Sequence, residues 1–150
     1  MKPVIIGQMP SCHEDEGIAL PVRSGSSGHR LCQLMEVNET TLRRDFVLMN
    51  VSARYDPDGF SPEYHKTEVK NFLPLLSGRK VIMLGPAVAA AFGISRDEYS
   101  FGEWFDHAEE HMLICVIPHP SGLNRLYNDP EMQRIVSSLL KALWEEFYVA

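Results

Sequence analysis

Two polar segments follow apolar runs of the chain, and they contain the side chains best suited to chemistry. Residues 7–11 (GQMPS) come directly after the apolar residues 4–6, and residues 119–122 (HPSG) come directly after residues 113–117. An open parallel sheet binds its ligands at the turns where its strands end. The imidazole of His119 stands at such a turn and can donate a hydrogen bond to a polar ligand. The sequence therefore predicts a ligand site shared by the two segments.

A sheet has to bring these two turns together, and the pattern of apolar residues predicts one. Short apolar runs that alternate with helical patterns are typical of parallel strands with helices on both faces. Right-handed crossovers then place the strand exits along one edge of the sheet. We expect an α/β fold, a three-layer α/β/α sandwich with a central four-stranded parallel sheet. The predicted strands are residues 3–8, 46–51, 80–84 and 112–117.

Helix signals lie between these strands and after the last one. The small residues 24–28 lead into the first predicted helix. The last helix has the clearest start, because Asp129 can cap it and Pro130 suits its first turn. The remaining predictions are a loop at residues 55–62, a short helix from about residue 67 until Pro74, and a helix between Pro86 and Gly93.

Length and composition set the class of protein. The 150 residues, 45% of them hydrophobic and 23% charged, suit one soluble domain over residues 1–150. No apolar stretch approaches the roughly 20 residues of a membrane span, and the first residues lead directly into a strand rather than into a signal peptide. We expect a cytoplasmic monomer without a membrane partner.

The charge of the chain is unevenly distributed. The formal net charge is −6, and six acidic residues between positions 97 and 110 account for all of it. They are Asp97, Glu98, Glu103, Asp106, Glu109 and Glu110. Arg23, His29 and Arg30 follow the first polar segment and Arg125 follows the second, so a locally basic site is compatible with an acidic far surface. A solvated acidic face with scattered cations explains the same pattern.

The cysteines favour a reducing compartment. Cys12, Cys32 and Cys115 form no CxxC pair and leave an odd thiol, which argues against a disulfide framework. A tetrahedral metal site needs four ligands and would require help from histidine, for example from His13 beside Cys12. We therefore expect buried cysteines and no metal or other cofactor.

At this point the two segments match a known family. GQMPS (7–11) and HPSGLNR (119–125) resemble the two signature motifs of the uracil-DNA glycosylase superfamily. The stretch EDEGIALPVRSGSSGHRL (14–31) is similar to the acidic, glycine-rich segment of the bacterial and archaeal branch often called family 4. VLMNVS (47–52) resembles the strand that ends in a base-reading asparagine, and GRKVIMLGPAVAAAFGI (78–94) resembles the third strand and its helix. The short, acidic chain with its GLNR extension looks like a bacteriophage member.

The resemblance implies a partner and a division of roles. The partner would be DNA that contains uracil or a modified pyrimidine, with the target base rotated out of the duplex. His119 would stabilise the negative charge on the departing base, and the amide of Asn50 would pair with its polar edge. The other implied base-pocket residues are Gln8, Met9 and Val22.

A second group of residues is implied for the DNA backbone. The serines and the arginine in it offer hydroxyl or cationic contacts to phosphate, and Leu123 would wedge into the space left by the extruded base. Residues 24–28 lack a P-loop lysine and Leu123 follows a turn, so a plain linker and a packed loop leucine are the competing interpretations. The implied backbone residues are Ser11, Ser26, Ser27, Ser121, Leu123 and Arg125.

The chain departs from the family pattern at three places. Met9 occupies a position where other branches carry aspartate or asparagine, and a thioether cannot activate water. That task would fall to Glu14, Asp15 or Glu16, or no strong base is used. Val22 replaces a stacking aromatic ring, unless Phe60 supplies one, and the cysteines of the family 4 cluster are missing.

Three functions remain open from the sequence. The first is a glycosylase that hydrolyses the N-glycosidic bond of uracil or a related pyrimidine in DNA. The second is a nucleobase- or DNA-binding protein that has lost hydrolysis, which Met9 and Val22 favour. The third is an enzyme that acts on a free nucleotide in a phage base-modification pathway, which the acidic composition favours.

Overall fold

A twisted sheet runs through the middle of the protein, with helices on both of its faces. The computed structural model describes residues 1–107 and 111–148. Within these residues the sheet has five strands in the order β2-β1-β3-β5-β4. The strands are β1 (Val4–Gly7), β2 (Val47–Asn50), β3 (Lys80–Leu84), β4 (Trp104–His107) and β5 (Met112–Ile117).

Six α-helices occur in the same part of the chain. They are α1 (Ser27–Met35), α2 (Glu39–Asp45), α3 (Pro62–Val69), α4 (Leu73–Leu76), α5 (Pro86–Ala91) and α6 (Pro130–Tyr148). Three short 3₁₀ turns at His13–Asp15, Arg96–Glu98 and Arg125–Asn128 complete the regular structure. None of these helices combines the length and the apolar character that crossing a bilayer requires.

The central strands are buried on both faces, as strands between two helical layers must be. In β1, Ile5 packs into the core with α1 and α6, whereas Val4 and Ile6 pack into the core with α3 and α5. In β3, Ile82 packs into the same core as Ile5, and Val81 packs into the same core as Val4 and Ile6. Because successive side chains of a strand point to opposite faces, one apolar run supplies both cores.

The sheet corrects the expectation of four parallel strands. β1, β2, β3 and β5 are the four predicted strands and are parallel, but β4 pairs antiparallel with β5 as a fifth strand at the edge. Its sequence, Trp104–His107, includes Asp106 and follows Glu103, so it lacks the apolar run of a central strand. An edge strand with one open side tolerates such residues, and composition alone therefore does not reveal it.

Two helical predictions also change. Helix α3 begins at Pro62 with Ser61 as its cap, within the predicted loop, and a separate helix, α4, contains Pro74. Proline in a first turn supports a helix start here as it does at Pro86 and Pro130. Helix α2 was not predicted, because it buries only one apolar side chain, Leu42.

Two of the three cysteines are buried, and the described residues of the acidic cluster lie near one edge of the sheet. Cys32 and Cys115 are buried, and desolvation raises the pKa of the Cys115 thiol to about 12. Cys12 is only half-buried. Of the six clustered acids, Glu109 and Glu110 lie outside the described residues, and the other four lie on or near the β4 edge of the sheet.

Candidate active site

A cavity of about 420 Å³ opens at the carboxyl edge of the sheet, where β1 and β2 end and the segment after β5 folds back. It contains residues from both polar segments and from the loop that precedes α1, residues 20–26, which we call the glycine-rich loop. Its lining consists of Gly7, Gln8, Met9, Pro10, Ser11, Leu20, Pro21, Arg23, Ser24, Gly25, Ser26, Ser27, Gly28, Asn50, His119 and Ser121. Met9 and His119 therefore share one crevice although 110 positions separate them.

The exit of β2 brings Asn50 next to β1. Gly7 and Asn50 are register partners, and the pairing continues beyond the strands because the Val51 amide donates to the Gly7 carbonyl at 2.9 Å. A Cβ atom on Gly7 would lie 2.7 Å from Oδ1 of Asn50, so the amide of Asn50 rests against bare backbone. The absence of a side chain at position 7 thus leaves room for Asn50 beside the cavity.

His119 reaches the cavity because its loop folds back over the end of β3. Strands β2 and β5 are three strand spacings apart, about 14 Å, so a side chain at the end of β5 would otherwise stand far from Asn50. Gly85 has a φ of +101°, and a Cβ there would lie 3.0 Å from Cβ of His119. Glycine is the residue that tolerates both the left-handed backbone and this close approach.

Hydrogen bonds from the following turn hold this loop. The Asn124 side chain donates to the His119 carbonyl at 2.8 Å, and the hydroxyl of the buried Tyr127 donates to the Pro118 carbonyl at 2.6 Å. The ring of Tyr127 in turn lies under the Arg30 guanidinium, 4.8 Å from its centroid. The position of the imidazole is therefore fixed from two sides.

The hydrogen bonds of His119 also define its proton. The Ser121 amide donates to Nδ1 of His119 at 3.3 Å, so Nδ1 is an acceptor and the ring proton of the neutral form is on Nε2. Desolvation lowers the pKa of the imidazole below its ordinary value of 6.5, which keeps the ring neutral at pH 7. A neutral ring with Nε2–H can donate one hydrogen bond to a ligand.

We expect the imidazole of His119 to titrate below pH 6.5 in the folded protein. Because its folded pKa lies below its unfolded value, the unfolded chain binds this proton more readily. The contribution of His119 to stability is then complete above pH 6.5 and is lost as the pH falls towards the folded pKa. Titration of the ring protons by NMR, assigned with the His119→Gln variant, measures this pKa, and a value of 6.5 or higher would contradict the buried neutral ring.

The glycine-rich loop is built around one serine. Oγ of Ser26 accepts from the amides of Arg23 at 3.0 Å and His29 at 3.1 Å, which caps helix α1, and it lies 2.9 Å from the Pro21 carbonyl. Ser26 thus organises the loop, and its lone pairs are already engaged. Ser27, the first residue of α1, also lines the cavity.

Gly28 allows this loop to pack against the first turn of α1. A Cβ on Gly28 would lie 2.4 Å from the Leu20 carbonyl oxygen and 2.7 Å from that of Pro21. We expect Gly28→Ala to lower the free energy of unfolding by about 1–3 kcal/mol, because the backbone has to shift. Urea unfolding measures the change, and Ser27→Ala in the same turn is the control, with an expected effect within about 0.5 kcal/mol. Equal stability of the two variants would refute the packing argument.

The glycine-rich loop also touches the segment that carries His119. The Gly122 amide donates to the Gly25 carbonyl at 3.0 Å, and a Cβ on Gly122 would lie 3.1 Å from Cα of Gly25. The two polar segments are therefore joined by direct backbone contact at the rim of the cavity.

Two predicted catalytic carboxylates lie behind this rim and do not line the cavity. Asp15 is buried and accepts from Ser11 Oγ at 3.2 Å, from Cys12 Sγ at 3.3 Å and from Arg23. Glu14 is exposed, and two hydrogen bonds lower its pKa. The larger effect comes from a backbone hydrogen bond and the smaller from the side chain of Cys12. None of the described residues that line this cavity carries a carboxylate.

Eight of the thirteen predicted site residues line this cavity: Gln8, Met9, Ser11, Ser26, Ser27, Asn50, His119 and Ser121. Besides Glu14 and Asp15, three do not line it. Val22 is packed against the core beneath α1. Leu123 is 93% exposed beyond the rim, and Arg125 is exposed in the following turn. Neither Phe60 nor any other phenylalanine, tyrosine or tryptophan is among the described residues that line the cavity.

A second cavity of about 410 Å³ lies on the other side of the first polar segment. It shares Pro10 and Asn50 with the first cavity but contains neither His119 nor the glycine-rich loop. Its other lining residues are Gly17, Ile18, Ala19, Met49, Val51, Ala53, Glu68, Asn71 and Phe72. Asn50 is therefore the polar side chain that both cavities share.

Sequence reasoning did not assign site roles to Arg23, Gly85 or Asn124. Arg23 was noted only as a nearby cation, although it lines the cavity. From the sequence, Gly85 is interpreted only as a turn before a helix, and Asn124 only as part of the motif at residues 119–125. A glycine or asparagine next to a strand exit is an available signal for a turn, but the partner that each one meets is distant in sequence.

Comparison with known proteins agrees with these features. A family model described as Uracil DNA glycosylase superfamily matches residues 1–146 of the 150-residue chain. None of the curated proteins matches the chain.

Proposed function

This chain belongs to the uracil DNA glycosylase superfamily, and on that premise we propose that it removes uracil or a related pyrimidine from DNA by hydrolysing the N-glycosidic bond. One observation supports this more than any other. Asn50, with a donor and an acceptor, and His119, with a single ring N–H, line one cavity at the carboxyl edge of the sheet, although they come from β2 and from the segment after β5. This is the set of groups that a flipped pyrimidine needs.

The chemistry follows from where charge develops. As the bond between the base and C1′ of the sugar breaks, its electron pair leaves with the base, and the sugar gains oxocarbenium character. Nε2–H of His119 donates to the base oxygen that becomes negative, and this interaction is strongest in the transition state. Asn50 pairs with the N–H and carbonyl of the opposite edge. Water adds to C1′ and loses a proton to the solvent, and the base anion takes up a proton, which leaves an abasic site and a neutral free base.

The rim of the cavity would bind the DNA backbone. Ser27 and Ser121 offer hydroxyls at the cavity, and Ser11 and Ser26 belong to the loops beside them. Leu123, 93% exposed beyond the second motif, is suited to fill the gap left by the extruded base. Arg125, exposed two positions later, would meet a neighbouring phosphate. Gln8 and Met9 form the wall of the base pocket.

The arrangement favours a modest rate. Met9 stands where other branches carry a water-activating side chain, and neither Glu14 nor Asp15 lines the cavity. A positioned general base contributes typically 10²- to 10⁴-fold, roughly, to the rate of such a step. We propose that catalysis rests on stabilisation of the leaving base and on no strong base.

Excision from defined oligonucleotides tests this function. Single- and double-stranded substrates that contain one uracil or one modified pyrimidine are incubated with the protein, and free base and alkali-labile abasic sites are measured. Matched substrates with thymine or cytosine at the same position are the controls. Release of uracil alone, or of a modified pyrimidine alone, supports the proposal, and release of no base from any substrate contradicts it.

The lack of a carboxylate in the cavity lining, as far as residues 1–107 and 111–148 supply it, favours one second candidate, a nucleobase- or DNA-binding protein without hydrolysis. Such a protein would bind a uracil-containing oligonucleotide more tightly than its thymine counterpart and leave both intact. The same substrates therefore separate the two functions.

A further inference from the structure

We propose that Arg23 binds a DNA phosphate at the rim of the cavity and that the buried carboxylate of Asp15 positions it there. This inference rests on the proposed function, since the anion is the backbone of the DNA substrate. It gives Arg23 a binding role and makes Asp15 a positioning residue instead of a base.

The geometry of Asp15 supports a holding role. Its side chain is 6% exposed, yet it has three donors around it, from Ser11, Cys12 and Arg23. Burial by itself raises the pKa of the carboxyl, but the hydrogen bonds from Cys12 and Ser11 and the charge of Arg23 outweigh it, so the pKa is lowered. A carboxylate that is kept charged and is already hydrogen-bonded is a poor acceptor for the proton of water.

The geometry of Arg23 supports a binding role. Its side chain is 53% exposed although one end is tied to Asp15, and the residue lines the cavity between Pro21 and Ser24. It is the one lysine or arginine among the lining residues that the structure describes. A guanidinium has five N–H donors in a rigid fork, so donors remain for a phosphate after the contact with Asp15.

Neighbouring arginines are committed to the fold. Arg43 donates to the carbonyls of Ala19 at 3.0 Å and Leu20 at 3.1 Å, and it also pairs with Glu39. Arg30 lies over the ring of Tyr127. Arg23 differs from both, because its guanidinium contacts only the Asp15–Cys12 corner among the described side chains and about half of the side chain stays exposed.

Salt dependence of binding tests the role of Arg23. The probe is an oligonucleotide with 2′-fluoro-2′-deoxyuridine, whose fluorine opposes oxocarbenium formation and so slows cleavage. We expect Arg23→Gln to weaken binding about tenfold and to reduce the slope of log K against log salt by about 0.9 on duplex or about 0.7 on single-stranded DNA. Arg23→Lys should recover the slope, because it keeps the charge.

The matched control is Arg134→Gln. Arg134 is an exposed arginine on α6 that pairs with Glu131 and lies outside the cavity. Its replacement removes one positive charge from the protein without touching the site, so it should leave the slope unchanged. An equal loss of slope in Arg23→Gln and Arg134→Gln, or no loss in either, overturns the inference.

Asp15→Asn separates positioning from base catalysis. If Asp15 positions Arg23, the variant binds DNA more weakly, with kcat at saturating DNA within about threefold of wild type. If Asp15 activates water, kcat falls by roughly 10²- to 10⁴-fold at unchanged affinity, which overturns the inference. If Asp15→Asn does not fold, the slopes of Arg23→Gln and Arg23→Lys decide the question.

Measurements on the wild-type protein separate a failure of the proposed function from a failure of the inference about Arg23 and Asp15. A wild-type protein that neither excises uracil nor prefers uracil-containing DNA refutes the proposed function, and the inference fails with it. A wild-type protein that excises uracil, with an Arg23→Gln variant of unchanged salt slope, refutes the inference alone.

Discussion

Replacement of His119 by alanine is expected to reduce the rate of uracil excision by about 10²- to 10³-fold, the loss typical for one preorganised donor to a developing anion. The physical reason is that the imidazole of His119, one of the described lining residues, offers its Nε2–H to the cavity. The Ser121 amide donates to Nδ1 and holds the ring in this orientation. The effect should fall on kcat more than on KM, because the base is neutral before the bond breaks. Single-turnover excision at saturating enzyme measures it.

A matched histidine makes this test specific. His13 is 72% exposed and contacts Glu16 and the ring of Tyr55, outside the cavity lining. His13→Gln should keep the excision rate within about twofold, and circular dichroism checks the fold of both variants. Wild-type activity in folded His119→Ala would show that the imidazole does not stabilise the leaving base.

Replacement of Asn50 by alanine is expected to lower kcat/KM for uracil excision by about 10²-fold. The variant loses a donor and an acceptor to the base edge, each contributing about 0.5–1.5 kcal/mol, and leaves the edge of a buried base unpaired. Unlike the effect of His119→Ala, this loss should be visible in the affinity for the 2′-fluoro-2′-deoxyuridine oligonucleotide. Fluorescence anisotropy measures that affinity, and excision assays measure kcat/KM.

Asn71 provides the control for Asn50, and it also tests which cavity holds the base. Asn71 lines only the second cavity, whereas Asn50 lines both. Asn71→Ala should therefore change excision by no more than about twofold. A larger loss in Asn71→Ala than in Asn50→Ala would move the base to the second cavity and separate it from His119.

The four parallel strands were predictable because their apolar runs leave a local record, even in β2, which lies at an edge of the sheet and is only partly buried. β3 (Lys80–Leu84) and β5 (Met112–Ile117) begin and end where the apolar runs predict, and β1 and β2 are each shorter than predicted by one residue at either end. The start of α6 after Asp129 is also as predicted, since Oδ1 of Asp129 accepts from the Glu131 amide at 3.0 Å. Strong apolar runs and caps act within a few residues of where they occur.

Edge and surface elements were not predictable to the same degree. β4 (Trp104–His107) and α2 (Glu39–Asp45) bury few side chains, so their sequences resemble loops. Helix α3 carried a usable signal, proline after serine at Ser61–Pro62, that the prolines and glycine nearby concealed. The error in strand number comes from the polar residues in and before β4 and does not affect the parallel strands that end at the site.

Local sequence specifies which residue types stand at the end of each parallel strand, and thus that a glutamine, an asparagine and a histidine gather at one edge of a parallel sheet. Apolar runs set the strands, and the strands set the edge. Three features come from long-range packing instead: His119 folds back against Gly85, Asp15 is tied to Arg23 behind the rim, and Val22 packs against the core. These contacts depend on packing between loops, where one residue meets another that no local spacing specifies.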